Sequence, residues 1–156
     1  MKTLDKTKWY QGFITVISYS YVLLFVYAAT GKLIEHDKFV VQIGQSVMLS
    51  AYAGVLAWLV PLVELLLAVM LVFSSLRLIG LYCSFGLMAA FTAYIYVILN
   101  YTEKIPCSCG GVLEKLGWPE HMLFNIVFVV LGVIGIVLHQ VVARPAPEGG
   151  LPRGSD

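Results

Sequence analysis

Two thiols one residue apart are the most reactive feature of this chain: Cys107 and Cys109, in "IPCSCGGVLEKLGWPEH", residues 105–121. A thiol attacks a disulfide only as its thiolate, so an exchanging pair needs exposure, nearby cations or N–H donors, and a backbone that tolerates both redox states. The stretch supplies them. Pro106 sets the entry, Gly110 and Gly111 free the backbone beside the sulfurs, and Lys104, Lys115 and His121 are the candidate cations. A disulfide across one intervening residue closes a ring too small for relaxed geometry, which favours exchange over a structural staple. Two other readings stay open. The cysteines are small residues in a Gly-rich connector, or they hold Cu(I), which is content with two soft ligands, with His121 or Met122 beside them. Zinc usually takes four ligands, and no second cysteine pair is present to supply them.

The elements that position these thiols are membrane spans. Of the 156 residues, 60% are hydrophobic and 12% charged, with net charge +1. The mean hydropathy is +0.87. This is the profile of an integral membrane protein and gives no hint of a nucleic-acid partner. Four runs are long enough to cross about 30 Å of hydrocarbon, which takes roughly 20 residues: 12–30, 55–73, 78–99 and 121–142. The first follows an uncleaved start, and its Thr15, Ser18, Tyr19, Ser20, Tyr21 and Tyr27 are expected to face neighbouring helices. Between runs one and two, Phe39, Val40, Ile43, Val47 and Met48 follow helical spacing, which predicts a short interfacial helix. Only about "SSLR" joins runs two and three, so these are antiparallel neighbours. The fold class is all-α, an integral membrane four-helix bundle. Its domain is 1–143, with the Cys-x-Cys loop at 101–120. The tail 144–156, rich in Pro and Gly, is expected to be disordered, and its "LPRGS" resembles a protease-site remnant.

Lys2, Lys6, Lys8, Arg77, Arg144 and Arg153 fall on one side of such a bundle, whereas Lys32, Lys38, Lys104 and Lys115 fall on the other, each with an acid within three residues. The positive-inside rule puts both termini in the cytoplasm and the Cys-x-Cys loop outside, in the oxidising periplasm of a bacterium. Trp58, Tyr94, Tyr96, Tyr101 and Trp118 then form an outer aromatic belt, with Trp9 and Tyr10 at the inner one. Cys83, near the inner end of run three, reads as a small packing residue. Gly86, Ala89, Ala90, Gly132 and Gly135 offer close helix contact within the bundle or with another chain.

Glu64 is the second candidate. It lies about nine residues into run two, roughly 14 Å deep at 1.5 Å per residue, where an ionised carboxylate costs about 2.5 kcal/mol or more. Either it is a proton-transfer or quinone-coupled site, or it bonds Ser18, Tyr19, Ser20 or Tyr21 of run one. His121 and Asn125, one turn apart, share a face at the outer start of run four. His121 either tunes a thiolate or is an interfacial histidine in a helical first turn set by Pro119 and Glu120.

Four stretches together, "GK" at Gly31-Lys32, "LAWLVPLVELLLAVML" with Pro61 and Glu64, "PCSCGG" and "WPEHMLFN", resemble the MauE branch of the DoxX-like four-helix membrane proteins over about residues 12–142. The resemblance implies a bacterial inner-membrane protein of thiol-disulfide redox. Its relatives are associated with methylamine utilisation, helping a periplasmic thioredoxin-like protein form the disulfides of a secreted enzyme. It also implies that Cys107 and Cys109 are the redox residues. One pair plus an isolated Cys83 is no complete thiol conduit across a membrane. The pair is therefore expected to exchange with a periplasmic thioredoxin-like partner and then with a quinone in the lipid bilayer or a second protein. The alternatives are a Cu(I)-handling protein and a non-catalytic subunit assembled with other membrane subunits.

Overall fold

A computed structural model describes residues 2–45, 49–101 and 117–143. Lys104, Cys107, Cys109 and Lys115, Val47 and Met48 of the expected interfacial helix, and the tail 144–156 lie outside the described residues. The elements are α1 (Lys2–Ile34), α2 (His36–Gly44), a 3-10 turn (Ser50–Tyr52), α3 (Ala53–Val72), α4 (Arg77–Tyr101) and α5 (Trp118–Ala143). Four of these helices are long and apolar enough to cross a membrane. α1 is longer at both ends than its hydrophobic run. Its 33 residues amount to about 50 Å, more than a hydrocarbon core needs.

Around the bundle the helices follow the order α1, α3, α4, α5, with α1 also closing onto α5. Neighbours run antiparallel. α1 and α5 therefore place Lys2 and Ala143 at one end, whereas α2, the start of α3, the end of α4 and the start of α5 share the other. The core joins Ile14, Ile17, Tyr21 and Phe25 of α1 to Leu67, Ala68 and Leu71 of α3, Leu81 and Met88 of α4, and Ile136 of α5. The outward faces are just as apolar: Leu23 is 74% exposed, Leu62 65% and Leu123 63%. Such a surface suits hydrocarbon and not water. Trp9 and Trp58 are exposed towards opposite ends, as an aromatic belt at each interface requires.

In lipid, apolar side chains do not distinguish inside from outside, and close packing and polar contacts decide the interfaces. Gly132 and Gly135 of α5 do this work. A Cβ on Gly132 would meet Tyr21 Oη at 2.7 Å and Phe85 Cβ at 3.3 Å; one on Gly135 would meet Ile17 and Leu81. The hydroxyl of Tyr21 donates across the gap to the Phe128 carbonyl, and the two rings meet edge-on at 5.2 Å. At the end that Lys2 and Ala143 share, Arg77 opens α4. Its Nε donates to the Leu71 carbonyl in the last turn of α3 and its Nη1 to Thr15 Oγ1 of α1, both at 3.4 Å. This satisfies a carbonyl that the helix end leaves without a partner.

Three expectations need correction. Of the six polar residues expected to face neighbours, only Ser18 and Tyr21 are buried, while Tyr19 and Tyr27 are on the exposed face. The hydroxyls of Thr15, Ser18, Ser20 and Thr30 donate to carbonyls one turn back in α1, and of these Thr15 also meets a neighbouring helix, accepting from Arg77 of α4. Cys83 is exposed on α4 instead of packed. Gly86 has open space where its Cβ would stand, so it makes no close helix contact within the bundle.

Gly132→Leu is expected to push α5 off α1 and α4 and to lower the melting temperature in detergent by about 5 °C or more. Gly86→Ala is expected to leave the melting temperature unchanged or raise it, since helix propensity adds up to about 1 kcal/mol of stability. Thermal unfolding followed by circular dichroism checks both.

Candidate functional site

One stripe of α3 is buried: Ala57, Pro61, Glu64, Leu67, Ala68 and Leu71. Beside two leucines it holds two alanines, a proline and one carboxylate, the marks of a helix face turned to protein instead of lipid. Pro61 has no N–H, so the Ala57 carbonyl lacks its usual helical donor one turn outward of Glu64. Glu64 itself is 1% exposed.

Its partner is Lys32, two residues before the end of α1. Side chains on a helix lean towards its N-terminus. Because α1 and α3 are antiparallel, Lys32 leans down the bundle and Glu64 leans up, and they meet. Lys32 Nζ donates to Glu64 Oε1 at 2.8 Å, and the Ala28 carbonyl lies 3.5 Å away. The ammonium also lies 5.8 Å from the ring centre of Phe39 in α2 and 6.0 Å from that of Phe91 in α4, within cation–π range. Glu64 therefore does not bond Ser18, Ser20 or Tyr21, whose hydroxyls go to Ile14, Val16 and Phe128. Nor does Lys32 take the nearby acid. Glu35 instead binds Lys38 at 3.0 Å.

α2 closes the same region. It lies on α3, buries Ile43, and is reinforced where His36 stacks against Trp58 at 4.5 Å. From α5 come His121 and Asn125. His121 is half-buried and within electrostatic reach of the Lys32 ammonium. Asn125, one turn further in, is 3% exposed. Phe128, which receives the Tyr21 hydrogen bond, is about one turn beyond it. Asn125 thus falls in the layer of the Lys32–Glu64 pair, and two of that layer's buried polar atoms, Glu64 Oε2 and Asn125 Nδ2, have no hydrogen-bond partner.

All four spans so contribute to one polar layer near the α2 end: Lys32 from α1, Glu64 from α3, Phe91 from α4, and His121 with Asn125 from α5. The layer contains an ion pair, a free carboxylate oxygen and a free amide N–H, which can hold or orient an oxygen-bearing group. Among the described residues, no three of His, Cys, Asp and Glu gather as a metal site. Exposed Cys83 opens from α4 near the opposite end and takes no part in the layer.

A family model described as "Methylamine utilisation protein MauE" matches residues 10–138, from the first turns of α1 through most of α5. The chain belongs to the MauE family. No curated protein and no solved structure matches it. The matched region of this MauE-family chain takes in the second and third spans, most of the first and fourth, the whole polar layer, and the Cys107–Cys109 pair in the sequence between α4 and α5. Glu64 and His121 were legible as candidates from the sequence of this family member. The partnership of Lys32 with Glu64 was not, although the lean of side chains along antiparallel helices is the signal that finds it.

Removing one member of a buried ion pair leaves the other charge uncompensated. Lys32→Met is expected to destabilise the MauE-family bundle by about 3–5 kcal/mol, and the Lys32→Met/Glu64→Met double variant to recover most of that loss. Denaturant titration in micelles measures the cycle; additive losses would contradict the pairing.

Proposed function

We propose that this protein is a thiol-disulfide exchange component of the bacterial inner membrane, with both termini in the cytoplasm and Cys107 and Cys109 as the exchanging pair. One observation supports it above the others. α4 ends and α5 begins at the end of the bundle that carries α2 and the polar layer, so the chain bearing both cysteines is anchored there on either side. The positive-inside reading makes this the periplasmic end, where thiols can be oxidised. Engagement of Lys32 with Glu64 strengthens that reading, because it withdraws one of the few cations from the outer surface.

The partner is a periplasmic thioredoxin-like protein. A thiolate of the partner attacks one sulfur of the Cys107–Cys109 disulfide and releases the other as thiolate. The second partner thiol then resolves the mixed disulfide. Two electrons pass to the pair, which leaves as a dithiol, and the partner leaves oxidised. Lys104 and His121 are the side chains proposed to favour the thiolate. Membership of the MauE family supports a role in methylamine utilisation, where a secreted enzyme would receive its disulfides through that partner.

Cys107→Ser and Cys109→Ser, made separately and quenched with an alkylating agent in membranes, test the proposal. One of them is expected to accumulate a covalent adduct that thiol reductant reverses on a non-reducing gel, which identifies the resolving step. Full activity in the double serine variant would sink the exchange reading. Stoichiometric copper on a reduced, freely alkylated pair would replace it with Cu(I) handling.

A further inference from the structure

We propose that the layer formed by Lys32, Glu64 and Asn125 binds the redox-active oxygen of a membrane quinone. Three observations converge on this class of ligand. The first is the pair of unmet hydrogen-bonding demands: Glu64 Oε2 needs a donor and Asn125 Nδ2 needs an acceptor, and both atoms are buried on residues 1% and 3% exposed. A buried polar atom without a partner costs free energy, so the layer is built for a group that answers it. A single oxygen that is a carbonyl in one state and a hydroxyl in the other meets both demands. As a carbonyl it accepts from Asn125 and faces the Lys32 ammonium; as a hydroxyl it also donates to Glu64.

The second observation is position. The layer is enclosed by helices whose outward faces are Leu, Val and Ile, and it sits in the membrane-crossing part of α3 and α5. A ligand that reaches it from the bilayer must itself be lipid-soluble. Aromatic rings of Phe39 and Phe91 flank the ammonium and give a flat conjugated ring surfaces to lie against.

The third is electron balance, and here the inference rests on the exchange reading above. Beyond Cys107 and Cys109 the chain has only Cys83, which is exposed on α4 near the opposite end. A dithiol left by exchange therefore has no second thiol pair in this chain to pass its electrons to. A quinone closes the balance: the two thiols lose two electrons and two protons and form an S–S bond, and the quinone takes both to become the quinol.

The test uses the full-length protein in lipid nanodiscs, with decylubiquinone as probe and its dimethyl ether, which cannot donate a hydrogen bond, as control for the reduced form. Binding is read by quenching of tryptophan fluorescence. The Cys107→Ser/Cys109→Ser variant is expected to bind decylubiquinone saturably, because binding does not need the thiols. In that background Asn125→Leu is expected to weaken binding at least 10-fold and Glu64→Gln to weaken reduced decylubiquinone more than the ether, with circular dichroism and melting temperature showing that each variant folds. If Glu64→Gln does not fold, Asn125→Leu alone decides. Saturable binding that Asn125→Leu leaves unchanged places the quinone elsewhere and overturns the proposal. No saturable binding at all, with the two free atoms bridged by water alone, also overturns it. Trapping of a mixed disulfide is read without added quinone. Loss of trapping with quinone binding intact therefore defeats the exchange reading and leaves the site, and the reverse result defeats only the site.

Discussion

An ion pair held inside a lipid-facing bundle is the constraint on which the other features depend. Each charge alone would cost about 2.5–3.5 kcal/mol at the centre of a membrane helix. Together, 2.8 Å apart and with Glu64 fully enclosed, they make the α1–α3 contact obligatory. The antiparallel arrangement gives the two side chains opposite leans, and the aromatic rings of α2 and α4 take up the remaining face of the ammonium. The seating of α2 across the end of α3 follows, because Phe39 belongs to that shell. A bundle of apolar helices with no such pair would have few reasons to prefer one rotation of α3 over another.

At the opposite end the helices are fixed by other means. Arg77 ties the α3–α4 turn to Thr15, and Gly132 and Gly135 let α5 approach α1 and α4 closely enough for Tyr21 to reach a backbone carbonyl. The bundle is therefore clamped by small residues and hydrogen bonds at one end and by charge at the other. The charged end keeps polar capacity in reserve on Glu64 and Asn125, and toward the other end the buried Ser84 Oγ of α4 and His139 Nδ1 of α5 are likewise without partners. The charged end also holds the close of α4 and the start of α5, between which the sequence carries Cys107 and Cys109.

Membrane class, four spans, the short helix after the first and the antiparallel hairpin were all legible in the sequence, because span length and turn length are local properties. Which face of each helix is buried was not. Helices that are apolar all round carry no periodic signal, and the tyrosines of α1 illustrate the ambiguity: Tyr21 turns inward to Phe128 while Tyr19 and Tyr27 turn out. The depth of Glu64 could be read, but its partner could not. Glu35 is the nearer acid to Lys32, three residues on, and would compete for it along a continuous helix. α1 ends at Ile34, and Glu35 instead turns to Lys38 of α2. A break of one residue thus redirects two lysines. The thiol pair is a motif of composition and spacing, and its chemistry is read from the sequence alone.

The ion pair also bears on how the chain is made. α1 leaves the ribosome before α3, and their charges are complementary. Span one carries its lysine at the trailing edge, and span two carries a glutamate that hydrocarbon would reject if it entered alone. The partner needed to shield that carboxylate is already synthesised when it emerges, whereas Asn125 and the glycines of α5 arrive after both. Biogenesis can therefore proceed pairwise, with the first two spans leaving the insertion machinery as a neutralised hairpin onto which the later two are fitted.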